Sequence, residues 1–128
     1  MSLNMIIVVA IGGALGAVGR FLITSGVIYF FGSGLPLGTL IVNIIGSFGL
    51  GILVEVCPPV WSISPELRSF FVVGLLGAFT TFSTFSFEAV SLWSRGDLFS
   101  SSAYVIGSVF LGIVGFICGS AMAKSLFT

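Results

Sequence analysis

Gly74-Leu75-Leu76-Gly77-Ala78-Phe79-Thr80-Thr81-Phe82-Ser83-Thr84-Phe85-Ser86-Phe87-Glu88 is the stretch on which the fold turns. It lies inside an apolar run long enough to cross a bilayer, yet it alternates phenylalanines with hydroxyls and ends in a carboxylate. A helix facing lipid would carry Leu, Ile and Val here. Glycine and β-branched threonine weaken a helix, and Ser or Thr can bond the backbone and bend it. Irregular backbone at membrane depth is tolerated only where it is buried in protein or lines a watery cavity. The stretch is therefore read as a break in a spanning helix, lining a site within the membrane.

Outward from it, composition sets the class. Of 128 residues, 57% are hydrophobic and 6% charged, and the mean hydropathy is +1.28. A soluble domain carries about a quarter charged residues, so this surface belongs in a lipid bilayer. A spanning helix needs about 20 apolar residues, and the chain has room for four. The expectation is one all-α membrane domain over residues 1–128. With no His and only Cys57 and Cys118, far apart in sequence, no zinc or haem ligand set, Cys-x-x-Cys pair or nucleophile–base pair can be assembled. No enzymatic activity is expected. Each Cys is read as a small apolar packing residue near a helix end. A formal net charge of zero points to no nucleic-acid partner. The first thirty residues lack a basic leader region and form too long an apolar run for a signal peptide, so they are read as the first span.

The four spans are expected at about Met5 to Phe31, Leu37 to Val56, Pro65 to Trp93 and Leu98 to Ala123. Between them fall Gly32-Ser33-Gly34 with Pro36, a breaker-rich loop from Cys57-Pro58-Pro59 to Ser64-Pro65, and the turn Ser94-Arg95-Gly96-Asp97. Ser64, Pro65 and Glu66 have the order of a helix start, with an N-cap, a first-position proline and an acid in the first turn. Most of the 18 glycines fall inside spans. Without a hydrophobic drive between helices in lipid, small residues four apart supply close contact, and Gly12/Gly16 and Gly115/Gly119 have that spacing. Arg68 and Lys124 fall on one side of the membrane, Arg95 and the nearby Arg20 on the other. Lys and Arg in short loops set orientation, so a near-even count predicts a chain that inserts both ways and works as an antiparallel homodimer.

Several residues are candidates for chemistry. An intramembrane Arg costs about 2.5–3.5 kcal/mol at a helix centre, so Arg20 is read either as facing an aqueous path or as reaching to the nearer interface. Glu88 is read either as its partner or as a group at a vestibule mouth. Asn43 is either interhelical glue or a donor to a passing solute. Tyr104, Ser108 and Gly112 recur every four residues and form one stripe on the fourth span. Phe82 and Phe85 share a helical face, and their positive ring edges, with nearby hydroxyl and amide donors, suit a small dehydrated anion. The carbonyls freed around Gly77 to Thr80 suit a bare cation.

The run Gly77 to Glu88, with Gly16-Ala17-Val18-Gly19-Arg20 and Gly38-Thr39-Leu40-Ile41-Val42-Asn43-Ile44-Ile45-Gly46-Ser47, resembles the Fluc/CrcB fluoride channels over nearly the whole chain. The resemblance implies a dual-topology antiparallel homodimer in a bacterial inner membrane, with fluoride as its partner ion, exported passively through two pores. It implies fluoride contacts at Asn43, Phe82 and Phe85, hydroxyl donors at Ser83 and Thr84, and a polar track at Tyr104 and Ser108. It further implies a structural Na⁺ at the dimer centre, on the backbone carbonyls of Gly77 and Thr80, with Arg20 and Glu88 as vestibule charges. Gly112, where some relatives place a hydroxyl, shortens the track. The rival reading is a small dual-topology exporter of organic cations, which needs a carboxylate within the membrane; Glu55 and Glu88 are expected near span ends. A subunit with a purely assembling role leaves the phenylalanine and hydroxyl clustering unexplained.

Overall fold

Apolar helices account for almost all of the chain. A computed structural model describes residues 1–56 and 63–127, and the described residues contain no strand. Cys57 and most of the expected breaker-rich loop, residues 57–62, lie outside them. Among the described residues, four segments are long and apolar enough to cross a membrane: Leu3–Phe31, Leu37–Val56, Pro65–Ser94 and Leu98–Phe127.

The first helix, α1 (Leu3–Phe31), starts two residues before the expected Met5 because the Ser2 hydroxyl caps it, accepting from the Met5 amide at 3.4 Å. It stops at Gly32, whose positive φ of 80° is open to glycine because it has no Cβ. Helix α2 spans Leu37–Val56. The third span opens with α3 (Pro65–Arg68), capped by Ser64 with Pro65 in the first turn, and continues as a π-helix over Ser69–Leu76. Then come α4 (Gly77–Phe79) and α5 (Phe82–Ser94). Gly96, at φ 81°, turns the chain into α6 (Leu98–Phe127). This helix outruns the expected Ala123. Lys124 in its last turn suits the negative end of the helix dipole and lies 3.8 Å from Glu55 at the end of α2.

Two pairings dominate the packing, α2 with α6 and α1 with the π segment. Both are backbone against backbone. A Cβ on Gly16 would meet the Leu75 carbonyl, and one on Gly74 would meet the Val9 carbonyl. Likewise Gly51 faces the Phe116 carbonyl and Gly119 faces that of Phe48. Gly12, Gly16 and Gly119 are buried, as small-residue contact in lipid requires. The rest of the surface is apolar and outward, with Phe21, Phe30 and Phe99 all exposed. Cys118 is exposed on α6, and its neighbour Gly119 is the residue turned to α2.

Candidate functional site

Between α4 and α5 lie two residues with extended backbone, Thr80 (φ −84°, ψ 161°) and Thr81 (φ −152°, ψ 120°). Several of the backbone groups around them have identifiable partners. The Thr80 amide donates to the Leu76 carbonyl at 3.0 Å, and the Thr80 hydroxyl donates to the same oxygen at 2.9 Å. One residue on, the Thr81 amide turns to α2 and donates to Asn43 Oδ1 at 2.8 Å. Asn43 Nδ2 donates back to the Thr81 carbonyl at 3.1 Å. An amide side chain thus pairs with Thr81 as a neighbouring strand would. The Thr81 hydroxyl then starts α5 by accepting from the Thr84 amide at 3.2 Å. From the other side, Arg20 Nε donates to the Ala78 carbonyl at 3.0 Å, placing a cation against the negative end of a helical turn. Gly46 makes room on α2: a Cβ there would collide with the Thr80 methyl.

Past the extended pair, α5 presents its rings. Phe82 and Phe85 stand 5.5 Å apart between centroids at 45°, and Phe85 lies 5.2 Å from Tyr104 at 46°. Phe82 is 79% exposed, so in the single chain its ring faces outward. Ser86 donates to the Phe82 carbonyl at 2.9 Å in its own helix, and the Ser83 and Thr81 hydroxyls are 3.4 Å apart.

Glu88 is half-buried on α5, its two oxygens accepting from the Thr39 hydroxyl at 2.8 Å and the Tyr104 hydroxyl at 2.9 Å. Arg20 is bonded elsewhere, so the expected alternative of an Arg20–Glu88 pair is not formed. Tyr104 donates its hydroxyl hydrogen bond to Glu88, whereas Ser108 Oγ is buried without a hydrogen-bond partner. That hydroxyl lines a cavity of about 250 Å³ with Asn43, Phe82, Phe85 and Gly112. A second cavity, about 360 Å³, shares Asn43 and Phe82 and adds Gly77, Thr80 and Thr81. A third, about 330 Å³, begins at Thr39 and Glu88 and reaches Arg95.

The row of donors is therefore amide, hydroxyl and ring edge, built on three spans around one carboxylate. Comparison with known proteins gives the family. The family model described as CrcB-like protein, Camphor Resistance (CrcB), matches residues 7–120. The chain belongs to the CrcB family. Relatives of CrcB type include proteins named fluoride-specific ion channel FluC from Agrobacterium fabrum, 45% identical over 95% of this chain and 98% of the relative. Those from Rhodospirillum centenum and Geobacter sulfurreducens are each 42% identical, over 96% and 97% of this chain and 98% and 100% of theirs.

Thr39, Ala78 and Thr81 were not singled out as site residues from the sequence of this CrcB protein. Thr39 had a signal: Thr39, Asn43 and Ser47 recur every four residues, the counterpart on α2 of the Tyr104 stripe. Ala78 and Thr81 take part through backbone atoms, which no side-chain pattern marks.

Proposed function

We propose that this CrcB protein is a fluoride-specific ion channel that lets fluoride leave the cytoplasm passively, and that it works as an antiparallel, dual-topology homodimer in a bacterial inner membrane. The near full-length identity to proteins named fluoride-specific ion channels carries the reading. The rival organic-cation exporter finds no support among these relatives.

In this reading the third span is a broken helix with Thr80 and Thr81 as its link. Fluoride sheds water and passes between the Asn43 amide, the Phe82 and Phe85 ring edges and the Ser108 hydroxyl, with Ser83 and Thr84 as further donors. Weak binding at several sites in series permits both selection and release. The buried Ser108 oxygen without a partner supports this, because a buried hydroxyl left unmatched costs about 1–3 kcal/mol and a passing ion would satisfy it. Beyond Ser108 the path meets Tyr104 and the carboxylate of Glu88, and Arg20 lends positive charge to the approach.

The residues also suit a sodium ion. Backbone carbonyls freed where a helix unwinds bind Na⁺ in other membrane proteins. The Gly77 carbonyl would accept from the Thr81 amide in a continuous helix, and that amide is committed to Asn43. Gly77 and Thr80 line the same open cavity, and a second copy related by a two-fold axis would double the carbonyl set. Bound there, the ion would neutralise the carbonyl ends that meet at the dimer centre. Dual topology is supported by the loop charges: with Arg20 bonded inside the bundle, Arg68 and Lys124 stand against Arg95, a difference of one.

The test is fluoride efflux from liposomes holding the purified protein, with chloride as control and no proton gradient. Rapid fluoride loss with chloride retained is expected. Equal loss of both ions, or of neither, would sink the reading.

A further inference from the structure

Two stripes face each other inside the bundle: Thr39, Asn43 and Ser47 on α2, and Tyr104, Ser108 and Gly112 on α6. They meet level by level. At the first, Thr39 and Tyr104 both donate to Glu88. At the second, Asn43 and Ser108 line one cavity. At the third, the nearest atom to a Cβ built on Gly112 is Ser47 Oγ, 3.8 Å away. There α6 offers no polar side chain, and the hydroxyl comes from α2.

Some hydroxyls in this chain return to a carbonyl one turn back. Thr24 donates to the Arg20 carbonyl at 2.8 Å, Thr80 to that of Leu76 at 2.9 Å and Ser86 to that of Phe82 at 2.9 Å. Ser47 does not. Among the described residues its hydroxyl has no hydrogen-bond partner, and it lines both of the cavities that Asn43 joins. It shares this uncommitted state with Ser108. A serine that withholds its hydroxyl from its own helix and faces two cavities is placed to donate to a guest.

We propose that Ser47 is a fluoride-binding residue, supplying from α2 the hydroxyl that Gly112 lacks on α6. The proposal rests on the fluoride reading above. A dehydrated fluoride is a compact acceptor, and Asn43 and Ser47, one helical turn apart, offer it consecutive donors as it moves between the two cavities. Because the space at Gly112 is open, a hydroxyl on either helix would serve the same point.

Fluoride efflux from liposomes is measured for the unsubstituted protein, Ser47→Ala, Gly112→Ser and the double variant. Alanine favours the helix, so the fold is retained, and elution of the detergent-solubilised protein checks this. Ser47→Ala should slow efflux about tenfold or more, the worth of one hydrogen bond to a charged partner. Adding Gly112→Ser to Ser47→Ala should restore it to within about threefold of the unsubstituted rate. A Ser47→Ala rate within about twofold of normal overturns the proposal, and so does a double variant as slow as Ser47→Ala. If the unsubstituted protein carries no fluoride, the parent reading fails and this one with it.

Discussion

Asn43 commits both ends of its amide to Thr81 and still borders two cavities. From the sequence it was either glue or a donor to a passing solute. The structure gives it the first role and leaves room for the second, because Nδ2 carries two hydrogens and Thr81 takes one. This separates it from Phe82, whose outward ring makes no polar bond. Asn43→Leu leaves the Thr81 amide and carbonyl unpaired, a loss of about 1–3 kcal/mol for each buried group. It should therefore lower the thermal midpoint as well as fluoride efflux, whereas Phe82→Ile should remove efflux and leave the midpoint and the assembled state unchanged. Differential scanning fluorimetry beside the efflux assay checks the contrast; equal midpoints for the two variants would show that Asn43 does not hold the backbone.

Among the elements, the π segment was the least legible. Ser69–Leu76 reads as an ordinary apolar helix, with only Gly74 to weaken it. Its hydrogen-bond register shows once it is laid on α1, where the Phe70 and Leu75 carbonyls press against Gly12 and Gly16. The glycine spacing was readable because small residues four apart fall on one helical face. Which helix they would meet was not. A methyl group at Gly16 has nowhere to go but the Leu75 carbonyl and the Phe79 amide. Gly16→Ala should cost about 1–3 kcal/mol, the usual penalty of overpacking. It should also push α4 away from α1, lengthening the Arg20 bond to Ala78. Gly13→Ala, which meets nothing within 4 Å, is the control. Comparable thermal midpoints for the two would mean that the contact carries no weight.

For the molecule as a whole, orientation is the property still to be measured. Ser33 lies in the turn between α1 and α2, away from the glycine contacts. A Ser33→Cys variant lacking Cys57 and Cys118, in sealed right-side-out vesicles, should react with an impermeant maleimide to about half of its total, the signature of a chain with near-even loop charges. Labelling that is complete, or absent until the vesicles are opened, would show one fixed orientation and remove the antiparallel dimer.

Composition and spacing by themselves determined that this chain lives in a bilayer, where its four spans begin and end to within a few residues, which faces are small enough to touch and which carry hydroxyls. Those are local properties, set by burial of apolar surface and by the 3.6-residue repeat of the helix. The tertiary structure alone decided the partners: Thr39 and Tyr104 for Glu88, the Ala78 carbonyl for Arg20, Thr81 for Asn43. A buried charge or amide takes whichever donor or acceptor packing brings within about 3 Å, and residues 16 to 58 positions apart meet only once the helices have packed together.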